Sequence, residues 1–108
     1  MDRIIKVRDF SKTPGTRHTA EGLFSGEDFR KVIDPEFKKA FNDHVQLTVD
    51  LDNTIGYGTS WLEEVFGGLA RSEGAQKVTD TLRFVSDEEP YLIDDIKGYI
   101  KDAEQQTH

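Results

Sequence analysis

A chain of 108 residues, 35% of them hydrophobic and including seven Phe, three Tyr and one Trp, fills one domain with a thin but real core, expected to span residues 1–108. A formal net charge of −7 repels nucleic acid and anionic membrane at long range, so neither is expected as a partner. The absence of cysteine excludes disulfides, thiolate metal sites and a thiol nucleophile, and it permits a reducing compartment. Charges at Asp2, Arg3 and Lys6 interrupt the N-terminus before any signal-peptide core can form. No apolar run approaches the roughly 20 residues of a membrane span, and the expectation is a cytoplasmic protein.

Along the chain, Ile4, Ile5, Val7 and Phe10 mark a first strand over Arg3 to Phe10. The polar stretch Ser11 to Gly22 turns at Pro14-Gly15 and has room for a short hairpin. Ser25 with Asp28 three residues on offers a capping box, and Phe29, Val32 and Ile33 give a helical face behind it. Asp34-Pro35 predicts a restart into a second, short helix carried by Phe37, Ala40 and Phe41.

Val45 to Leu51 alternates most clearly, with Val45, Leu47, Val49 and Leu51 on one side of a strand. The loop Asp52 to Gly58 follows, and Ser60-Trp61-Leu62-Glu63 fits a capping box opening the next helix. Trp61, Leu62, Val65, Phe66 and Leu69 supply that helix's buried face, and Gly67-Gly68 either ends it or admits a close backbone. Ser72 to Asp80 is helix tail or loop, Thr81 to Ser86 a third strand, and Glu89-Pro90 starts a last helix. Alternation of strands and helices predicts an α/β domain with a small, mostly parallel sheet covered by helices. Such sheets place ligands at the carboxyl ends of their strands, here at Asp52 to Thr59.

Two constellations carry candidate chemistry. Asp50-Leu51-Asp52-Asn53-Thr54 resembles the first motif of haloacid-dehalogenase-type phosphatases, which implies a nucleophile at Asp50, a general acid at Asp52 and a magnesium ion. Its position at residue 50 and the lack of the later helper residues point instead to an ordinary strand exit. Gly56-Tyr57-Gly58-Thr59-Ser60 is a glycine-flanked loop entering a helix N-terminus, an arrangement that favours a phosphate, while a plain N-cap explains Ser60 equally. Arg17, with Lys12 and His18, can form an anion-binding lip over that helix start or an exposed turn. His18, His44 and His108 share no ligand spacing, so no metal and no cofactor is expected.

Asp9-Phe10-Ser11, Thr13-Pro14-Gly15-Thr16-Arg17, Ser25 to Arg30 and, most specifically, Gly56 to Leu69 resemble the STAS-like domain family of unknown function. That family is a relative of the sulphate-transporter and anti-sigma-factor-antagonist domains. The resemblance implies a STAS-like α/β fold. It also implies a phospho-acceptor at Ser60, with Thr59 beside it, and a kinase-like ATPase as protein partner. The chain differs from the antagonist pattern at Gly58, where that pattern has Asp, and at Trp61, where it has Gly. The leading expectation is a non-catalytic regulatory module docking through Gly56, Tyr57, Gly58, Trp61 and Glu64, helped by Arg17. A small phosphatase using Asp50 and Asp52, and a structural subunit without a switch, are the alternatives.

Overall fold

In the computed structural model, which describes residues 3–18, 20, 22 and 24–106, the alternating runs pair as a parallel three-stranded sheet. Strand β2 (Leu47–Asp50) lies between β1 (Arg3–Lys6) and β3 (Leu82–Val85). Ile5, Val49 and Phe84 align across the sheet, and so do Ile4, Thr48 and Arg83. Side chains alternate along each strand, so Leu47, Val49 and Leu82 are buried in the core with Ile5 and Phe84 packed against it. The other set, Ile4, Lys6, Thr48, Asp50, Arg83 and Val85, stays exposed or half-buried.

The first strand is shorter than its apolar pattern predicts. After Lys6 the chain turns into a helical turn, α1 (Val7–Phe10), closed by the Ser11 N–H donating to the Val7 carbonyl at 2.9 Å. Val7 is fully buried, while Arg8 swings across to Asp50. No strand forms among the described residues of 11–22. Residues 11–17 instead run as a strap over the carboxyl end of the sheet.

The expected break at Asp34-Pro35 does not occur, for α2 (Gly26–Asn42) is continuous through Pro35. The missing N–H costs one helical hydrogen bond. Against that, Phe29, Ile33, Phe37 and Ala40 form a single buried stripe that only an unbroken helix keeps in line. The Ser25 capping box is present as predicted. At the other end the His44 N–H bonds to the Phe41 carbonyl at 3.2 Å and the Val45 N–H to that of Ala40 at 3.0 Å, a Schellman closure with His44 in the left-handed region (φ 58°).

Beyond β2, helix α3 (Thr59–Leu62), a π-helical turn over Glu63–Gly67 and α4 (Gly68–Glu73) follow without a break in helical backbone. The glycine pair does not end the helix. It takes part in the widened turn, and the Arg30 guanidinium occupies the space a side chain at Gly68 would need. A turn at Gly74 leads to α5 (Ala75–Thr81), so Ser72 to Asp80 is mostly helical. Helix α6 (Tyr91–Gln106) closes the domain through Leu92, Ile96, Ile100 and Ala103. Leu62, Val65 and Phe66 are buried with Leu47 and Val49, as the sequence pattern requires. Among the described residues no helix is long and apolar enough to cross a membrane.

Candidate functional site

All three strands end on one edge, where the loop from Leu51 to Gly58 meets the 11–17 strap. The strap is fixed by backbone. Lys12 accepts from the Ile55 N–H at 2.7 Å and Pro14 from the Gly58 N–H at 2.8 Å. Further along, Thr16 and Arg17 accept from the Gly26 and Glu27 N–H groups at 2.8 and 3.0 Å. The glycine loop is therefore roofed, and one of the donors expected to cradle an anion, the Gly58 N–H, is already used. Gly58 is small for a different reason than ligand approach, since the Gly15 backbone lies against its Cα.

The helix opens two residues earlier than the capping-box pattern predicts. Gly58 is the N-cap, no side chain caps the turn, and Thr59 and Ser60 occupy its first two positions, both exposed. Ser60 is thus not an N-cap, because the Gly58 carbonyl already accepts the first helical bond, from Leu62 at 3.1 Å. Ile55, on the loop just before, is 82% exposed. Sequence reasoning passed over it, although an isolated Ile inside a polar loop was the available signal.

The aromatic members of the predicted docking edge lie elsewhere. Trp61 is fully buried, 5.1 Å from the Phe29 ring, with its indole N–H donating to the Phe24 carbonyl at 3.3 Å. Tyr57 packs on Trp61, and its hydroxyl donates to the Leu51 carbonyl at 2.8 Å. Burial raises the Tyr57 pKa above its ordinary value, so the ring stays neutral. Both rings pack beneath the loop, Trp61 fully buried and Tyr57 half-buried. Gly56 is half-buried in the same loop.

Arg17 and Glu64 belong to a charge network and not to an open lip. Arg17 Nη1 lies 2.6 Å from Glu63 Oε1 and 3.7 Å from Glu64 Oε1. Arg71 holds the other oxygen of Glu63 at 2.6 Å, and Arg30 bridges Glu64 at 3.7 Å and Asp34 at 3.1 Å. His18 sits 3.0 Å from Glu27. Only Lys12 of the expected lip is exposed without an ion pair among the described residues.

Hydrogen bonding from Arg71, with that from Arg17, holds the Glu63 carboxyl below the usual carboxylate range against the opposing effect of partial burial. A lowered folded-state pKa gives stability that is present above the unfolded value of about 4.3 and is lost as the pH falls through the folded one. Glu63→Gln should therefore be less stable than the parent by about 1–2 kcal/mol at neutral pH, given its partial exposure. The difference should shrink in urea titrations taken below about pH 4. A difference that persists unchanged in acid would show that packing, not charge, is what the substitution removed.

Asp50 and Asp52 are both engaged in holding the edge together. Asp50 pairs with Arg8 at 3.1 Å and accepts from the Asp52 N–H at 3.0 Å. The Asp52 carboxylate accepts from the Glu88 N–H at 3.0 Å, and Glu88 in turn accepts from the Asn53 N–H. Glu88 is thereby part of a clasp between two loops. No group of three His, Asp or Glu among the described residues is placed to hold a metal ion.

No curated protein and no solved structure matches the chain. The sequence model of one family, described as a STAS-like domain of unknown function, matches residues 25–92. The match runs from the cap of α2 to the first turn of α6 and so contains β2, β3 and the whole Thr59–Glu73 helix. With more than half of its length matched and the parallel α/β architecture in place, the chain belongs to the family of STAS-like domains of unknown function.

Proposed function

We propose that this domain is a regulatory protein–protein interaction module of the cytoplasm, which docks a protein partner through Ile55 and the first turn Thr59-Ser60. The observation that carries this reading is that two exposed hydroxyls open a helix without capping it. Among the described residues neither hydroxyl has a hydrogen-bond partner, and an exposed apolar side chain stands close by in sequence at Ile55. A π turn inside the same helix is consistent with such a role, since these turns frequently accompany functional sites.

Ser60 is the proposed phospho-acceptor and a kinase-like ATPase the proposed partner, both from the resemblance to antagonist domains. A phosphate adds about −1.5 to −2 charges beside the positive end of the helix. The repulsion expected from Glu63 and Glu64 is reduced because arginines pair with both. Phosphorylation should therefore leave the fold intact and act on the interface, where a new dianion is costly unless a cation meets it.

Ser60→Asp should lose the native partner in co-purification while keeping its melting temperature. Ser60→Ala should retain the partner and resist the switch. Equal recovery with the parent and both variants would make Ser60 a bystander, and undiminished recovery with Ile55→Ser as well would show that this edge does not dock the partner.

A further inference from the structure

At the outer edge of the sheet a second surface stands apart from the Thr59-Ser60 turn. Among the described residues strand β3 has no neighbour beyond it in the order β1-β2-β3. The Val85 carbonyl accepts from the Leu51 N–H at 2.8 Å, so it points inward. Backbone groups alternate along a strand, which turns the N–H and C=O of Leu82 and Phe84 outward. Next to them a groove of about 370 Å³ opens between β3 and α6. Leu82, Phe84, Ile93 and Ile100 give it apolar walls, and Arg83 and Lys97 stand in its lining as cations.

Arg83 is unusual among the arginines of this chain. The net charge is −7, and Arg3, Arg8, Arg17, Arg30 and Arg71 all make ion pairs. Among the described residues Arg83, the remaining arginine, has no carboxylate within ion-pair distance, and neither has Lys97. Arg83 stands on the face of β3 opposite Phe84, and Lys97 borders the groove from α6, in a sequence with 21 acidic residues.

We propose that the β3–α6 groove accepts an extended segment of a partner protein in which apolar residues alternate with acidic ones, added as a fourth strand on β3. Alternate side chains of such a segment fall on opposite sides of the sheet. One set enters the apolar groove beside Phe84 and Ile93, and the other lies with Arg83 on the uncovered side. A second copy of this chain fits poorly, because β3 against β3 brings Arg83 and Lys97 of each copy towards those of the other. The opposite edge gives no such instruction. There the groove beside β1 carries Lys6, Asp9 and Glu36 together, and Arg3 already pairs with Glu36 at 3.2 Å.

The test uses the isotope-labelled full chain and two end-capped peptides of about six residues, a usual strand length. One alternates valine with glutamate, the other valine with lysine. Amide shifts on adding the glutamate peptide should concentrate on residues 82–86 and on the Ile93 to Ile100 face of α6. Its affinity should exceed that of the lysine peptide by at least about tenfold and weaken as salt shortens the reach of the charges. Arg83→Glu combined with Lys97→Glu should reverse the preference while the melting temperature holds, as both side chains are exposed. Arg83→Gln alone should give a smaller loss of the same sign. Equal binding of the two peptides, shifts centred on β1, indifference to the charge reversals, or no binding at all would overturn the proposal. The last result would leave Arg83 as a charge that merely discourages edge-to-edge aggregation.

Discussion

Phe66→Ala is expected to cost about 3–5 kcal/mol, the range for removing a fully buried aromatic side chain. Phe66 is 0% exposed and sits in the π turn, where its ring meets Phe84 of β3 edge-on at 5.5 Å. It joins the Thr59–Glu73 helix to the sheet, so a cavity there opens at the junction of two layers and cannot close by moving one loop. A domain of this size has only about 5–15 kcal/mol of stability in total. Urea denaturation should show a midpoint lowered by a large fraction of its parent value. The slope should be unchanged, since the same surface is exposed on unfolding. A loss below about 1 kcal/mol would mean that the ring does not fill the space assigned to it.

Gly58→Ala is expected to destabilise by about 1–3 kcal/mol through overpacking, with its effect centred on the strap. The backbone at Gly58 (φ −74°, ψ 136°) is open to any residue, so no conformational strain is involved. The obstacle is the Gly15 backbone, whose Cα and carbonyl carbon each lie 2.9 Å from where the new methyl would stand. Neither atom can swing aside as a flexible side chain would. The strap must lift, taking with it the bonds from Ile55 to Lys12 and from Gly58 to Pro14. Amide exchange of Ile55 and Gly58 should accelerate more than that of core residues such as Val49. Gly98→Ala is the control, because nothing lies within 4 Å of its added methyl and it sits inside α6. That change should stabilise by about 1 kcal/mol through helix propensity alone. Unaltered exchange at Ile55 in Gly58→Ala would show that the strap is not held by this contact.

The parallel α/β class, the three strands and the buried identities of Leu47, Val49, Leu62, Val65 and Phe66 were all determined by the sequence itself. Each rests on a local period of side-chain burial, two along a strand and 3.6 along a helix, which any solution of the fold must satisfy. The match to the STAS-like family follows the same positions. What sequence could not decide were matters of competition between distant segments. Pro35 predicts a break on local grounds, yet the stripe from Phe29 to Ala40 overrides it by packing on one core. Ser60 has the look of a cap, yet the helix begins at Thr59 because the 11–17 strap fixes Gly58 from above. Trp61 fits both the buried face of its helix and a docking edge, and only the packing on Phe29 settles it for the interior, while the Leu51 carbonyl holds Tyr57. Arg17 fits an anion-binding lip or an exposed turn, and Glu63, forty-six positions away, supplies the anion it meets. A charge or an aromatic ring carries no period that reveals its partner. Its role is assigned only when the tertiary structure brings together the groups that compete for it.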